Sequence, residues 1–417
     1  MSEPMMSRTR APLEFFEAEY IQEILGKLSA KPNQMTCPIS DENLEVISRK
    51  CLAGDFRFSP YKERLILKGR NKYPRIISIP SLRDKLVLRS ITEILQEAFP
   101  ESAKTTSGTE QISRVIQHIA SDEHQLHWVY RGDIKNFYDN INRQQLYDLL
   151  IQRIHEPLLI TLIQRALVTP TIPDKTRRQN YYKFKREKGV PQGLSISSIL
   201  ANLYLQSVDE VMEQVPKMVY LRFVDDIILI GDKDIIDNAR SRLAQLFVEK
   251  ELALHDKEEG KESFNPVSQT FGYLGYEFRL PTISVRESSV ERLRNSIIAL
   301  LKEAKSNAWS DDDLIFRLNL RITGAFSPKK TYGWLFYYRN INDIDLLYTL
   351  DAFVLTLLNK NSTLPVSRHN EIKRFVRAYH EIKHSVDSGY IHQYETKRGE
   401  PVVLDGILMH EQMSYDI

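Results

Sequence analysis

The sequence has 417 residues, 42% of them hydrophobic and 27% charged, and a formal net charge of +2. This composition is ordinary for a globular protein, and the length predicts two to three subdomains. We expect a cytoplasmic protein without membrane contact, because no apolar run approaches about 18 residues and residues 1–10 lack a signal-peptide pattern. The two cysteines, Cys37 and Cys51, form no C-x-x-C pair and therefore support neither a disulfide framework nor a structural zinc site.

The first predicted elements are a helix, a hairpin and a second helix. Apolar residues recur at every fourth position in residues 15–28, which predicts a helix. Two apolar stretches, residues 65–67 and 75–80, flank a charged turn and predict a hairpin. The next helix is predicted over residues 81–99, with Ser81 as its N-cap.

The middle of the chain contains apolar strands that meet acidic residues. Residues 128–134 predict a strand with Asp133 near its end, and residues 140–151 predict the start of a helix. Further along, two apolar strands flank a turn that we assign to the pair Asp225 and Asp226. The pattern therefore predicts a tight hairpin with two carboxylates at its tip.

The C-terminal part is predicted to be mostly helical. Residues 235–251 predict a helix, residues 271–278 a hairpin, and residues 290–358 a largely helical region. In the tail, apolar residues form one helical stripe, which favours core packing, and basic residues lie largely off it. The stripe consists of Ile372, Phe375, Val376, Tyr379 and Ile382.

Basic residues are concentrated in two stretches, although the net charge is small. Residues 62–75 contain six Lys or Arg and one Glu, and residues 174–188 contain seven Lys or Arg and two acids. The second stretch also contains Tyr181, Tyr182 and Phe184. Such a mixture suits a phosphate backbone with bases that can stack, but it also suits a solvated surface loop.

Neighbouring carboxylates at a hairpin tip indicate a cation site. Adjacent carboxylates repel each other, and an Asp-Asp turn alone is also compatible with a solvated acidic turn. Asp133, at the end of another strand, could join Asp225 and Asp226 in one sheet and give three ligands for Mg²⁺. Phosphoryl transfer uses such a site, because one ion activates the attacking hydroxyl and a second neutralises the leaving group.

Five ordered stretches resemble the motifs of reverse transcriptases, and together they span about residues 60–280. The two most specific are the Pro-Gln-Gly stretch and the Asp-Asp stretch. The stretches are residues 75–80, 133–138, 189–193, 223–226 and 271–275. The resemblance implies an RNA-directed DNA polymerase with two Mg²⁺ ions, or Mn²⁺ as an alternative, held by Asp133, Asp225 and Asp226.

The resemblance also implies roles for residues around the acids. Arg75 and Lys68 would bind the incoming triphosphate, with a guanidinium fork suited to phosphate oxygens. Tyr138 would collide with a 2′-hydroxyl and favour deoxynucleotides, and Gln192 would contact the nucleotide. Lys261 is the best match for a further triphosphate-binding lysine, with Lys257 as the alternative. The template and primer would be bound by Gly189, Pro191, Gly193, Gly272, Leu274 and Gly275, where glycine permits close backbone approach.

An α+β fold of the right-hand polymerase type follows from the same resemblance, with fingers, a ferredoxin-like palm and a helical thumb. We expect the N-terminal region and fingers in residues 1–125 and the palm in residues 126–284. A fingers segment is expected as an insertion at about residues 151–188. The thumb is expected at residues 285–360 and a C-terminal helical extension at residues 361–417.

The layout looks most similar to bacterial reverse transcriptases of the abortive-infection and phage-defence group, with retron and group II intron enzymes as relatives. One departure is Phe223, where the family usually has tyrosine. These relatives suggest a non-coding RNA as template or partner and a DNA product made from dNTPs. The sequence leaves open whether the protein forms a homo-oligomer.

Three functions remain open from the sequence. The first is templated DNA synthesis by a reverse transcriptase. The second is another polymerase activity. It could be template-independent DNA synthesis, protein-primed DNA synthesis or RNA synthesis. The third is a catalytically silent RNA-binding scaffold, against which the clustered acids argue because buried carboxylates cost stability.

Overall fold

The structure is a computed structural model that describes residues 11–29, 40–66, 73–104, 106–120, 126–255, 262–327, 330–386 and 388–393. Helices and strands alternate along the chain, and the strands form several separate sheets. The fold is therefore of the predicted α+β class.

The N-terminal region combines helices with one hairpin. A 3-10 turn at Glu14–Phe16 precedes the first helix, and Ser81 caps the third helix by accepting a hydrogen bond from the backbone N of Asp84 at 3.3 Å. The predicted hairpin and the helix after it are confirmed. The elements are α1 (Ala18–Ser29), α2 (Asp41–Leu52), β1 (Tyr61–Ile66), β2 (Arg75–Ile79), α3 (Leu82–Ala98), α4 (Pro100–Ala103) and α5 (Gly108–Ile119).

The middle region contains a four-stranded antiparallel sheet, which we call the palm sheet. Its elements and those around it are β3 (Trp128–Asp133), α6 (Phe137–Asn140), α7 (Arg143–Leu150), α8 (Pro157–Val168), β4 (Thr171–Ile172), α9 (Ser197–Glu213), β5 (Met218–Phe223), β6 (Asp226–Gly231), α10 (Lys233–Glu249) and β7 (Ser263–Pro266). The strand order of the palm sheet is β5-β6-β3-β7. β4 instead pairs in parallel with β1, so the chain returns to the first hairpin before it enters α9.

One predicted helix in this region is divided. The expected helix over residues 140–151 is interrupted at Ile141 and Asn142 and begins again as α7. The reason is a new N-cap, since the Asn142 side chain accepts hydrogen bonds from the backbone N of Gln144 at 2.9 Å and of Gln145 at 3.2 Å.

The C-terminal region is helical apart from short strands. Its elements are β8 (Phe271–Tyr273), β9 (Tyr276–Arg279), β10 (Thr282–Val285), α11 (Glu287–Ser306), α12 (Asp311–Thr323), β11 (Ala325–Ser327), β12 (Lys330–Tyr332), α13 (Trp334–Tyr337), α14 (Ile344–Asn361), α15 (Phe375–His384) and β13 (His392–Gln393). The predicted hairpin is formed by β8 and β9. The strands β11 and β12 interrupt the stretch that we expected to be mostly helical.

Two hydrophobic cores cover the two faces of the palm sheet. In β6, Ile227 and Leu229 pack into the core shared with the N-terminal helices, whereas Ile228 and Ile230 pack into the core shared with the C-terminal helices. All four side chains are fully buried. A sheet covered on both faces requires an uninterrupted apolar strand, which explains the sequence of β6.

The described helices include none that combines the length and apolar character needed to cross a membrane.

Candidate active site

The hairpin that carries two adjacent acids turns one residue earlier than predicted. Phe223 pairs with Asp226, so the two-residue turn consists of Val224 and Asp225, and Asp226 is the first residue of β6. The assignment of the turn to Asp225 and Asp226 was therefore wrong. Val224 has φ of +59°, which a β-branched residue rarely adopts, so the turn stores local backbone strain.

Hydrogen bonds from Ile134 and from Arg222 hold the strained turn. The backbone N of Ile134 donates to the carbonyl of Asp225 at 2.9 Å. The Arg222 guanidinium donates to the carbonyl of Val224 at 3.0 Å and to the Asp209 carboxylate at 2.8 Å. The Tyr220 hydroxyl donates to the same carboxylate at 2.6 Å. The surroundings therefore fix the position of the turn.

Asp133 lies at the end of β3, next to the β5–β6 turn that carries Asp225. Asp133 ends β3 and pairs in register with Asp226 of β6. Burial raises the pKa of Asp225, and the neighbouring Asp133 carboxylate raises it further, whereas the Arg75 guanidinium lowers it. Two carboxylates that disfavour each other's charge form a region of negative potential suited to a cation.

Asp226 is held by an arginine. Arg131 Nε donates to Asp226 Oδ1 at 3.0 Å and Arg131 Nη2 donates to Oδ2 at 3.2 Å, which is a two-pronged ion pair. Burial raises the pKa of Asp226, and this ion pair opposes the rise. Asp226 is therefore oriented by Arg131 in this structure.

These donors fit a divalent cation through Asp133 and Asp225. Carboxylate oxygens are the preferred ligands of Mg²⁺ and Mn²⁺. In the part of the chain that the structure describes, no group of three or more His, Cys, Asp and Glu side chains is arranged to hold a metal ion. In this structure Asp226 is instead paired with Arg131, and the charge of Asp133 acts on Asp225.

Arg75 and Tyr138 lie beside the acids, and their roles in nucleotide binding stay predictions. Arg75 begins β2, and its charge influences the pKa of both Asp225 and Tyr138. Burial raises the pKa of Tyr138 to about 12, and the negative charge of Asp225 adds to this rise. Tyr138 therefore keeps its hydroxyl proton at neutral pH. It also lines a cleft of about 1020 Å³ together with Arg222 and Val224.

Residues 189–193 form a loop packed against the Tyr138 segment and β2. Val190 N donates to the carbonyl of Tyr138 at 2.7 Å, and the carbonyl of Gln192 accepts from Ser78 N at 2.7 Å. The carbonyl of Pro191 accepts from the Ser197 hydroxyl at 2.6 Å. The loop therefore couples the first hairpin to the acids.

Gly189 and Gly193 have a structural role within the protein. Gly189 has φ of +87°, and a Cβ at this position would lie 2.7 Å from the carbonyl oxygen of Asp139. Gly193 has φ of +99°, and its Cβ would lie 2.6 Å from Ile77 Cγ2. Both glycines thus permit close approach to the protein's own chain, and their contact with a template stays a prediction.

The β8–β9 hairpin connects the palm sheet to the C-terminal helices. Leu274 and Gly275 form its turn with φ of +46° and +81°. The Leu274 carbonyl accepts from the Tyr337 hydroxyl at 2.9 Å. Gly272 leaves room for Arg286, whose Nη2 would lie 2.6 Å from an added Cβ. Primer binding by this hairpin also stays a prediction.

The sequence analysis missed four charged residues that organise this site, namely Arg131, Asp209, Arg222 and Arg286. Arg131 and Arg222 lie within otherwise apolar strands, where an unpaired cation would cost stability. That placement was a usable signal that each has a carboxylate partner. Lys68, Lys257 and Lys261 lie outside the described residues.

Comparison with known proteins identifies the class. Residues 66–278, just over half of the chain, match the family model described as reverse transcriptase (RNA-dependent DNA polymerase). The chain belongs to this family, which confirms the predicted right-hand polymerase fold and, at the level of the family, the predicted class of nucleotidyltransferase. The narrower grouping with phage-defence enzymes stays a prediction.

The curated relatives include bacterial and fungal proteins, two of which are described as intron proteins. The group II intron-encoded protein LtrA of Lactococcus lactis subsp. cremoris is 23% identical over 304 residues, which are 70% of this chain and 47% of LtrA. Protein YkfC of Escherichia coli K12 is 25% identical over 180 residues, 41% of this chain and 45% of YkfC. A 91 kDa protein in the cob intron of Schizosaccharomyces pombe is 30% identical over 200 residues, 45% of this chain and 24% of that protein. The chain thus spans less than half the length of these relatives.

Among solved structures, apo telomerase from Candida tropicalis is similar, with 15% sequence identity and a TM-score of 0.46. The match covers 94% of this chain and 70% of the telomerase chain. Because the TM-score is below 0.5, this likeness adds nothing to the assignment.

Proposed function

We propose that the chain is an RNA-directed DNA polymerase that adds dNTPs to the 3′ end of a primer. The observation that supports this proposal is the position of Asp133, at the end of β3, next to the turn that carries Asp225, with Arg75 and Tyr138 beside the acids. These side chains provide, at one place, ligands for cations, a partner for phosphate and an aromatic group for the sugar.

In this proposal, Asp133 and Asp225 hold two Mg²⁺ ions, or Mn²⁺, and Asp226 completes or orients the site through Arg131. Bound divalent ions supply activation of the primer 3′-hydroxyl and neutralisation of the leaving pyrophosphate. The new bond joins the 3′-oxygen to the α-phosphorus, and the bond from the α-phosphorus to the bridging oxygen breaks. Pyrophosphate leaves with that oxygen.

The remaining residues bind and select the nucleotide. The Arg75 guanidinium would pair with the triphosphate, because its planar fork matches phosphate oxygens. Tyr138 would lie under the sugar and exclude a 2′-hydroxyl. Gln192 lies in the loop of residues 189–193, which is hydrogen bonded both to β2 and to the Tyr138 segment. Its backbone carbonyl accepts a hydrogen bond from the backbone N of Ser78. Lys68 and Lys261 are proposed as additional phosphate-binding residues.

The proposed template is a non-coding RNA, and the proposed setting is bacterial antiphage defence in the cytoplasm. The support for this setting is the resemblance of the layout to the phage-defence group, which has retron and group II intron enzymes as relatives. A homo-oligomer is compatible with the proposal. The expected partners are therefore an RNA template, dNTPs and a DNA product.

The test is DNA synthesis by protein purified with its bound nucleic acid, supplied with Mg²⁺ and labelled dNTPs. We expect Asp225→Ala with Asp226→Ala to abolish synthesis, a loss of about a thousandfold or more, because the metal ligands are removed. The double variant should still fold, as followed by circular dichroism, and still bind RNA, although loss of the ion pair between Asp226 and Arg131 lowers its free energy of unfolding. The matched control is Asp234→Ala with Asp237→Ala, which removes two exposed acids from α10.

Sequencing of the product separates the competing functions. DNA complementary to the bound RNA, made by the wild type and the control alone, would support the proposal. DNA without a matching template would favour template-independent or protein-primed synthesis. An RNA-binding scaffold would be favoured if neither Mg²⁺ nor Mn²⁺ gave product with any primer.

A further inference from the structure

Residues 174–188, which we call the basic loop, form an exposed surface with no role in the chemistry proposed above. We infer that the basic loop binds the single-stranded part of the RNA template next to the active site. This inference rests on the proposed function, because it names where the template of that reaction lies.

The first observation is the charge of the basic loop. It contains seven Lys or Arg and two acids. Within the described part of the chain, only Arg186 among these seven cations has a carboxylate at ion-pair distance, and that carboxylate belongs to Asp139. The others project into solvent, since Lys175, Arg177, Arg178 and Lys183 are all exposed. Their mutual repulsion would be relieved by a polyanion.

The second observation is the exposure of aromatic rings among these cations. A 3-10 helix at Arg178–Phe184 contains no buried residue. Within it, the Tyr182 side chain is 65% exposed, and Tyr181 and Phe184 are half-buried. Exposure of aromatic rings to water does not stabilise a solvated loop, whereas unpaired bases can stack on such rings. The combination therefore favours single-stranded nucleic acid over a duplex.

The third observation is the attachment of the basic loop to the candidate active site at both of its ends. Before the loop, the Thr171 hydroxyl is hydrogen bonded to the Ser78 hydroxyl of β2 at 2.7 Å. At the C-terminal end of the loop, the Arg143 guanidinium donates to the carbonyl of Arg186 within the loop at 2.7 Å and to the carbonyl of Gly189 just after it at 2.8 Å. A strand bound on the basic loop would therefore lead directly to residues 189–193 and Tyr138.

The test compares two primer–template duplexes that differ only in the single-stranded 5′ RNA overhang, of about 2 or about 12 nucleotides, a range that brackets typical single-strand sites. Binding of the full chain is measured by fluorescence anisotropy without dNTPs. We expect Arg177→Gln with Arg178→Gln and Lys183→Gln to weaken binding of the long-overhang duplex about tenfold. Binding of the short-overhang duplex should not change.

Two further measurements test the two kinds of contact separately. The slope of log affinity against log salt for the long overhang should fall by about 2, which corresponds to about three lost phosphate contacts on a single strand. Tyr182→Ala should weaken binding of the long overhang about fivefold. The salt slope should not change, because stacking of a base on the ring neutralises no phosphate.

The matched control removes three exposed cations elsewhere, through Arg49→Gln, Lys50→Gln and Lys302→Gln on α2 and α11. It should bind both duplexes as the wild type does. Equal weakening for both overhangs, no weakening, or the same weakening in the control would overturn the inference. So would displacement of the long-overhang RNA by polyglutamate as readily as by polyuridine, because the loop would then bind acidic chains in general.

The binding readout is independent of catalysis. If the wild type makes no DNA, but neutralising the basic loop still weakens binding of the long-overhang duplex alone, the loop binds single-stranded RNA and the proposed polymerase activity fails. If DNA is made and binding does not depend on the overhang, the polymerase stands and the inference fails.

Discussion

The acidic hairpin formed by β5 and β6 and the basic loop are both marked by charge, but the protein treats the two charges in opposite ways. Around the hairpin, Asp209 is paired with Arg222 and Asp226 with Arg131. In the basic loop, most cations face solvent, and only Arg186 among the described ones is paired with an acid. Charges that position reacting atoms are thus held by the fold, whereas charges that would contact a moving strand are left free to adapt.

The two regions also differ in what supports their backbones. Both strands of the hairpin lie in a sheet between two cores. Its strained turn is held by hydrogen bonds from Arg222 to Val224 and from Ile134, in the segment after Asp133, to Asp225. The 3-10 helix of the basic loop has no buried residue. Substitutions in the hairpin should therefore change stability, and substitutions in the loop should change only what the loop binds.

The largest expected effect comes from removing the arginine that holds the turn. Arg222→Gln leaves the Asp209 carboxylate without its guanidinium, and we expect the free energy of unfolding to fall by about 3 kcal/mol. Urea denaturation followed by circular dichroism measures this change. Arg178→Gln in the basic loop is the matched control and should stay within about 0.5 kcal/mol of the wild type. Similar losses in the two variants would contradict the distinction between the regions.

A smaller effect is expected where the basic loop enters the active site. Gly189→Ala places a methyl group against the backbone of Asp139 at positive φ, so we expect a loss of about 2 to 3 kcal/mol in the free energy of unfolding. Gly389→Ala is the control, because φ is also positive at +72° but an added Cβ would meet nothing within 4 Å. It should cost about 1 kcal/mol from backbone strain alone. Thermal denaturation compares the two variants. Equal melting temperatures would show that the close contact at Gly189 has no energetic consequence.

The last of these predictions concerns substrate selection. Tyr138→Ala should lower the preference for dNTPs over rNTPs by about 10- to 200-fold, because the ring that excludes the 2′-hydroxyl is removed. The ratio of kcat/KM for the two nucleotides measures this preference.

Two tyrosines serve as controls for that substitution. Tyr147→Ala removes a ring that packs, like Tyr138, at the edge of the same core, and Tyr182→Ala removes an exposed ring of the basic loop. Neither should alter the sugar preference. An unchanged preference in Tyr138→Ala would reject its role in selection, whereas an altered preference in the Tyr147 variant would assign the effect to packing.

The local elements could be predicted from the sequence because they depend on nearby residues. The Ser81 cap, the strand that ends at Asp133 and the β8–β9 hairpin follow from periodicity and turn chemistry, and the structure contains all three. The ordered motifs similarly indicated the polymerase family. The turn at Asp225 was placed one residue too late, because strand register is set by pairing partners and not by the turn residues alone.

By itself, the sequence determined the identity of the family, the acids available for a metal site and the apolar strands that carry them. Only the tertiary structure decided that Asp226 is held by Arg131, that Arg222 supports the turn, and that Gly189 and Gly193 approach the protein's own chain. The physical reason is distance along the chain. These contacts join segments brought together by the two cores, and neither a motif nor a periodicity specifies which buried charges and backbones will meet.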